Sequence, residues 1–345
     1  MNLLLILAIV IGVLVLVRIA NVAQMAADLS GTSEEEEQET SNKWNSLGYL
    51  LFMPLLFIVV IYTTVKWGKL TLPVAASEHG VDVDKFMNLN WMVLYTVFFI
   101  TQFLLFSFAY RFRYKKNRRS YYFHDNNKLE ALWTIVPTIV LSGLIVTGLV
   151  EWNNITDRAK SDKGIKIQIY AKQFDFTARY AGKDNMLAAS YFKNISDVNP
   201  LGVDTLDKNL ADDRMASELV MPVGEEIELV INSRDVIHSV YLPHFRVQMN
   251  AVPGMTTRFH FKPTVTTAKM KEITGNDKFE YILLCNKICG VAHYNMKMPV
   301  RVVEKDEYNS WLAGTKAAFT KSETAAAEPA STAPADSTSK PMALK

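Results

Sequence analysis

Cysteine is scarce in this 345-residue chain: only Cys285 and Cys289 occur, and the pattern Cys-x2-Cys-His is absent. That absence excludes covalently attached haem of the usual kind. An excess of either charge is also lacking, since 37 basic and 35 acidic residues leave a net charge of +2. We therefore expect no nucleic acid partner. Tryptophan is missing between Trp152 and Trp311, and no long apolar run follows residue 155.

Both cysteines lie in the stretch LLCNKICGVAHYNMKMPV, where His293, Met296 and Met298 follow them closely. A disulfide would close too short a loop to gain much chain entropy, and it would leave the histidine and methionines unexplained. A zinc site could combine the two cysteines, His293 and one distant histidine. Thiolate, imidazole and thioether together are soft ligands that favour copper. Two thiolates at this spacing can bridge two copper ions, so that an electron's charge is shared over the pair.

The pattern Cys-x3-Cys-Gly-x2-His-x2-Met resembles the binuclear copper A motif of cytochrome c oxidase subunit II, a component of haem-copper oxidases. The upstream segment RDVIHSVYLP is similar to the family segment that carries a further histidine ligand. The resemblance implies a copper ligand set made of His238, Cys285, the backbone carbonyl of Lys287, Cys289, His293 and Met296. Both cysteines would bridge the two ions. One copper would add His238 and Met296, and the other would add His293 and the Lys287 carbonyl.

The resemblance also implies a function. The copper centre would accept electrons from a c-type cytochrome and pass them to haem in subunit I, where dioxygen is reduced to water with proton pumping. The chain would thus be part of an enzyme, a proton-translocating cytochrome c oxidase, whose oxygen chemistry lies on another chain. Expected partners are subunit I and other subunits of the oxidase, membrane lipid, and either a c-type cytochrome or a cytochrome-bearing neighbouring respiratory complex. The alternatives are a membrane-tethered copper or zinc binding module and a quinol-oxidase-type subunit II.

Apolar runs of about 20 residues, the length needed to cross a bilayer, occur only in the first part of the chain. There are about four of them, at residues 2–20, 47–66, 91–110 and 132–150. The loop RFRYKKNRRS is strongly basic and is expected in the cytoplasm. The chain after about residue 152 then lies outside. This pattern indicates a multi-pass protein of the bacterial inner (plasma) membrane with its copper domain on the periplasmic side.

The segmentation follows from these runs. We expect residues 1–45 to form a retained transmembrane helix and a solvated or disordered acidic linker (SEEEEQETSNK), and residues 46–90 a second transmembrane helix and an outer loop. A transmembrane hairpin should occupy residues 91–155 and the copper A domain residues 160–315. The Ala/Pro/Ser/Thr-rich tail, 316–345, is expected to be disordered.

The outer domain alternates polar with β-branched or aromatic residues in short stretches such as KIQIYAKQFDFTARY and KFEYILLC. Such period-two patterns, bounded by Gly, Pro and Asn, predict strands of a sandwich or barrel. The predicted fold is a membrane-anchored all-β protein, with a cupredoxin-like Greek-key β-sandwich after the helices. The acidic segment 182–216 breaks the rhythm and is expected to be a surface insertion.

Two departures from the family pattern concern other sites. Lys287 stands where the family usually has a glutamate that also binds magnesium, and Asn250 stands where aspartate is common. We therefore expect no magnesium site of the usual composition. The family's tryptophan contact for the electron donor is replaced by Phe174 in AKQFDFTARY. Phe174 is either an apolar contact for electron input or, like Phe176, an ordinary core residue.

The hairpin segment LEALWTIVP is similar to the family segment with a glutamate at the mouth of a proton pathway into subunit I. That residue would be Glu130. The competing interpretation is an exposed carboxylate in a first helical turn, where the helix dipole favours negative charge.

Overall fold

The chain is described by a computed structural model that covers residues 2–29, 34–156 and 164–318. In these ranges, four helices precede a β-sandwich: α1 Asn2–Leu29, α2 Glu34–Trp67, α3 Glu78–Arg111 and α4 Asn127–Thr156. By length and composition, three stretches can cross a membrane: Glu36–Leu70, Glu78–Arg111 and Asn127–Thr156. In α1, a shorter apolar stretch runs over Ile11–Ala23. Apolar side chains surround the long helices on all sides, as expected of segments that face lipid.

Helices α2 and α3 begin well before the apolar runs that predicted them. The acidic stretch is helical from Glu34 onward, so our prediction of a loop there was wrong. Glutamate, glutamine and lysine are good helix formers, and acidic residues in a first turn complement the helix dipole. Helix α3 begins at Glu78, not near residue 91. The Ser77 hydroxyl accepts a hydrogen bond from the Gly80 N–H (3.2 Å) and thereby caps it.

One compact unit comprises residues 1–71 and 89–141. Within it, α2 and α3 pack antiparallel along an aromatic seam. The ring centroids of Phe57 and Phe99 lie 4.8 Å apart, and the Thr64 and Tyr95 hydroxyls are hydrogen-bonded at 2.8 Å. Helix α4 starts after Asn126, whose side-chain oxygen accepts hydrogen bonds from the N–H groups of Lys128 and Leu129.

The second unit begins with residues 72–88 and continues from Ser142 into the sandwich. One sheet has the strand order β3-β2-β1-β5-β8 and the other β4-β10-β9-β6-β7. The strands of the first sheet are β1 Ile165–Lys172, β2 Asp175–Tyr180, β3 Arg214–Ala216, β5 Ile227–Ser233 and β8 Thr257–Phe261. Those of the second are β4 Leu219–Pro222, β6 His238–Leu242, β7 Val247–Ala251, β9 Tyr281–Leu284 and β10 Lys297–Val303.

Strand pairing is antiparallel except for β1 with β5 and β4 with β10. The core is formed by inward-facing apolar residues of both sheets. Its fully buried members include Ile167, Ile169, Leu229, Ile231, Val240, Leu283 and Val300. The two packed sheets confirm the β-sandwich that was predicted for the outer domain.

Two short helices complete the domain, α5 Thr267–Thr274 and α6 Lys305–Gly314. The Trp311 ring of α6 packs edge-on against Tyr180 at 5.1 Å. Residues 316–318 do not belong to a disordered tail as we predicted, because Met215 N–H donates to the Lys316 carbonyl and Ala318 N–H to the Asp213 carbonyl. The remainder of that predicted tail, 319–345, lies outside the described residues.

The insertion at 182–216 holds a buried ion pair. Asp213 is fully buried and its carboxylate lies 3.1 Å from the Arg179 guanidinium. The prediction that this acidic segment lies at the surface is therefore wrong for Asp213. Burial raises the pKa of Asp213 to about 6, and the Arg179 charge opposes that rise. The buried Arg179–Asp213 ion pair therefore attaches the insertion to β2.

Candidate metal centre

The cysteine-bearing loop joins two paired strands. Strand β9 ends at Leu284, β10 begins at Lys297, and these two residues face each other in an antiparallel ladder. The loop between them must therefore return to its starting point. Cys285 N–H donates to the Met296 carbonyl at 3.1 Å, which places the first and last predicted ligands of the loop side by side at its base.

His238 reaches the same place from the neighbouring strand. It is the first residue of β6, and β6 pairs antiparallel with β9 through Tyr241 and Leu284. Because the two strands are antiparallel, the residue three positions before Tyr241 lies beside the chain three positions after Leu284, which is in the loop. This register puts His238 level with the loop.

The two thiols lie at the centre of the group. Cys285 Sγ and Cys289 Sγ are 3.9 Å apart, and both cysteines are free and buried. A disulfide requires about 2.05 Å between the sulfur atoms, so the disulfide alternative is wrong for this conformation. Around Cys285 lie the His238 Nδ1 at 3.9 Å and the Lys287 carbonyl oxygen at 3.3 Å.

The other two predicted ligands surround Cys289. Its Sγ lies 3.5 Å from the His293 Nδ1 and 3.8 Å from the Met296 Sδ. Met298 is the other methionine close to the cysteines in the sequence. It is buried within β10 opposite Leu283 and packs in the sandwich core. The structure thus brings together all six predicted ligand positions and leaves Met298 out.

The predicted ligand residues are not all equally close to one another. His238, Cys285 and Cys289 form a group whose ligand atoms all lie within 4.8 Å of one another. His293 falls outside that group although it touches Cys289. The two imidazoles lie beside different sulfur atoms, His238 beside Cys285 and His293 beside Cys289. Two thiols, two imidazoles, a thioether and a carbonyl form a soft donor set that fits copper.

A carboxylate fixes the orientation of His238. The Asp235 Oδ1 lies 2.8 Å from the His238 Nε2, which leaves Nδ1 directed at Cys285. Partial burial acts to raise the pKa of Asp235, but hydrogen bonds from the Gln173 N–H, the His238 ring and the Val236 N–H outweigh it and lower that pKa. Such carboxylate–histidine pairs set the tautomer and the aim of a metal ligand.

The net pKa shift of Cys289 has the opposite sign to that of Asp235. Burial, with the neighbouring Cys285, raises the pKa of the Cys289 thiol to about 11. The thiol is therefore protonated at neutral pH when no metal is bound. Because a metal binds the thiolate, loading this site releases protons.

Phe174 lies directly against the ligand loop. The Gln173 side-chain amide donates to the Cys289 carbonyl. A Cβ added at Gly290 would lie 2.8 Å from two atoms of the Phe174 ring. Phe174 is half-buried at the core margin, whereas Phe176 is fully buried. The two phenylalanines thus differ in exposure, and the Phe174 ring lies next to Gly290 of the loop.

The loop also exposes an apolar surface that the sequence analysis missed. Ile288, Val291 and Tyr294 are 87%, 91% and 89% exposed. They alternate with the ligands, so no helical or strand period marks them as a surface. Asp235 was missed as well, although its position three residues before His238 in RDVIHS is a usable signal.

The residues tied to magnesium lie on the surface. The Lys287 side chain is exposed while its carbonyl faces Cys285. Asn250 is exposed on β7 and faces Ser239 of β6. Glu130 belongs to the first unit, where it is exposed in the first turn of α4.

Comparison with known proteins gives a consistent result over most of the chain. Residues 64–149 match the sequence profile of the cytochrome C oxidase subunit II transmembrane domain, and residues 165–304 match that of the periplasmic domain. The alternative cytochrome c oxidase subunit 2 of Bradyrhizobium diazoefficiens is 31% identical over 235 residues, 67% of this chain and 79% of the relative. Cytochrome c oxidase subunit 2 of Cereibacter sphaeroides is 25% identical over 254 residues, 70% of this chain and 76% of the relative.

Among solved structures, the periplasmic domain of subunit II of cytochrome oxidase from Bradyrhizobium japonicum is 27% identical. The aligned region covers 45% of this chain and 96% of that domain, with a TM-score of 0.31.

Proposed function

Because the chain belongs to the cytochrome c oxidase subunit II family, we propose that it receives electrons for a haem-copper terminal oxidase through a binuclear copper centre. The observation that carries this proposal is the pair of buried thiols 3.9 Å apart with an imidazole near each. Bound copper supplies reversible one-electron redox chemistry at this position, and oxygen reduction takes place on another subunit. The copper domain lies on the periplasmic side of the bacterial inner membrane.

The ligand distances support the assignment of the residues to two ions. The Cys285 and Cys289 thiolates would bridge both ions. His238 lies beside Cys285 and Met296 beside Cys289, so these two could complete one site from opposite sulfur atoms. The Lys287 carbonyl lies beside Cys285 and His293 beside Cys289, which gives the second site the same arrangement.

A single zinc ion fits this geometry less well. A tetrahedral Cys2His2 site with ordinary zinc bond lengths keeps every pair of ligand atoms roughly 3.4–3.8 Å apart. His293 does not join His238 and the two cysteines in a group of that compactness. Two ions that share the thiolates do not require the imidazoles to approach each other. A quinol-oxidase-type subunit, which lacks the ligands, is not supported either.

The exposed apolar loop surface supports docking of a c-type cytochrome over the copper end of the sandwich. Ile288, Val291 and Tyr294 surround the ligands and carry no charge. Phe174 packs beneath Gly290 and forms a continuous apolar contact from the core margin to the loop. We assign the donor contact to this surface, with Phe174 as its inner support.

Subunit I is the partner implied by family membership. Glu130 is proposed to gather protons for it, and the exposure of this carboxylate in the first turn of α4 is compatible with uptake from the cytoplasm. The exposed ammonium of Lys287 repels a divalent cation at the position of the usual glutamate. We therefore propose that magnesium binds weakly or through other ligands.

Metal analysis tests the proposal. The purified oxidase should contain two copper ions on this subunit and give a mixed-valence electron paramagnetic resonance signal. Cys285→Ser and Cys289→Ser should each remove that signal and cytochrome c oxidation while the helices still insert. One zinc ion per chain, or a serine variant that keeps the signal and full turnover, would contradict the proposal.

A further inference from the structure

A cavity of about 470 Å³ opens at the end of α3 in the first unit. We call it the basic cavity. Its lining residues are Leu50, Ser107, Tyr110, Arg111, Arg113, Lys115 and Arg118. Four of these seven residues are positively charged and none is acidic. The cavity therefore has the charge of an anion site.

The positive charges in the basic cavity are not neutralised within the described part of the chain. No described carboxylate lies within 4.0 Å of the charged groups of Arg111, Arg113, Lys115 or Arg118. The Glu39 carboxylate of α2 instead accepts a hydrogen bond from the backbone N–H of Lys116, which does not line the cavity. The Glu39 carboxylate therefore contacts the backbone of this loop, and among the described residues no ion pair joins it to a lining cation.

Two arginines also remove an obstacle to anion binding. The C-terminal end of a helix carries free carbonyls and partial negative charge, which repel an anion. Arg118 donates to the Arg111 carbonyl at 2.6 Å, and Arg113 donates to the Tyr110 carbonyl at 2.7 Å. These bonds cover the helix end with guanidinium groups, whose remaining N–H donors can bind phosphate oxygens.

The position of the basic cavity identifies the kind of anion. Helix α3 contains an apolar stretch long enough to cross a membrane and ends at Arg111. Its basic end is expected on the cytoplasmic side, so the cavity lies where that side of the membrane meets water. Leu50 and Tyr110 give it an apolar wall, on which an acyl chain can lie. A soluble anion needs no such wall.

We infer that the basic cavity binds the headgroup of an anionic phospholipid from the cytoplasmic leaflet. The phosphate lies among Arg111, Arg113, Lys115 and Arg118, and the acyl chains run along α2 and α3. Each cation near such a membrane surface strengthens binding roughly five-fold. Several cations around one headgroup should therefore bind an anionic lipid specifically. That is more than the orienting effect that any basic loop has on a membrane protein.

The test uses the purified oxidase, delipidated in neutral detergent and then offered phosphatidylglycerol or phosphatidylcholine, with bound lipid counted by native mass spectrometry. Lys115→Gln removes a lining cation whose side chain makes no bond to the described fold. Arg118→Gln removes a second one, and Arg118→Lys keeps the charge. Arg119→Gln is the matched control, because it removes an equal charge from the same loop outside the cavity.

The wild type should retain phosphatidylglycerol in preference to phosphatidylcholine. Lys115→Gln and Arg118→Gln should each weaken that retention roughly five-fold, while Arg118→Lys and Arg119→Gln should leave it nearly unchanged. Equal retention of both lipids, an equal loss in Arg119→Gln, or displacement of the lipid by millimolar inorganic phosphate would overturn the inference. Lys115→Gln decides the outcome if Arg118→Gln fails to assemble.

Discussion

Replacing Gly290 by alanine should damage the metal centre through a contact that the ligands themselves do not make. Gly290 follows Cys289 directly and has a φ of +144°, a region that residues with a side chain rarely adopt. An added Cβ would lie 2.8 Å from the Gln173 Nε2 and from two Phe174 ring atoms. Real Cβ atoms are essentially never found so close, so the loop or the ring must move.

The free-energy cost of Gly290→Ala has two parts. An unfavourable backbone conformation costs about 1–3 kcal/mol, and forcing an extra carbon into a packed place costs about 1–3 kcal/mol more. Gly254 is the matched control, because its φ is +75° and no atom lies within 4 Å of its added Cβ. The free-energy cost of Gly254→Ala therefore comes from the backbone conformation alone. The difference between the two variants should be about 1–3 kcal/mol.

The assay is denaturant-induced loss of the copper absorbance, followed in the purified oxidase. Gly290→Ala should lose its copper at lower denaturant concentration than Gly254→Ala. Phe174→Leu, combined with Gly290→Ala, should recover part of the loss because it removes the ring atoms that collide with the Cβ. Equal shifts for the two alanine variants, without recovery in the double variant, would refute the reasoning.

Three further predictions concern separate parts of the chain. Met296→Leu should shift the copper redox potential in a potentiometric titration while copper stays bound, and Met298→Leu should not; the reverse pattern would make Met298 the ligand. Glu130→Gln should slow steady-state oxygen consumption but not stopped-flow reduction of copper, whereas a role limited to the helix dipole, worth about 0.3–1 kcal/mol, leaves turnover unchanged. Burial, aided by the Arg246 charge, lowers the pKa of His244 from 6.5, so the folded state favours the neutral ring and stability should fall as the pH drops below about 6.5. Thermal unfolding at pH 7.5 and 5.5 should show this fall in the wild type and a smaller one in His244→Phe.

The closeness of the predicted ligand residues in the structure follows from the sequence for a physical reason. A loop that joins two paired strands brings its ends together, so Cys285 and Met296 are neighbours once the hairpin exists. His238 required only that β6 pair with β9. Local pattern and strand pairing were therefore sufficient for these positions.

Other features depend on contacts that no local pattern records. Asp213 is paired with Arg179 across the insertion, and its burial could not be inferred from an acidic, strand-poor segment. The helical start of α2 at Glu34 was hidden because an acidic run has the composition of a solvated loop. The apolar surface at Ile288 and Val291 depends on which way a short loop turns its side chains.

The aromatic seam between α2 and α3 has a consequence for how the oxidase is assembled. The transmembrane profile of the family begins at residue 64, so nearly all of α2 lies upstream of it. The flank of α3 that carries Phe99 and Phe106 is covered by this helix. A neighbouring subunit can therefore reach α3 only from its remaining sides. Helix α2 is about 10 Å wide, so a subunit that approaches this flank meets α2 in place of α3.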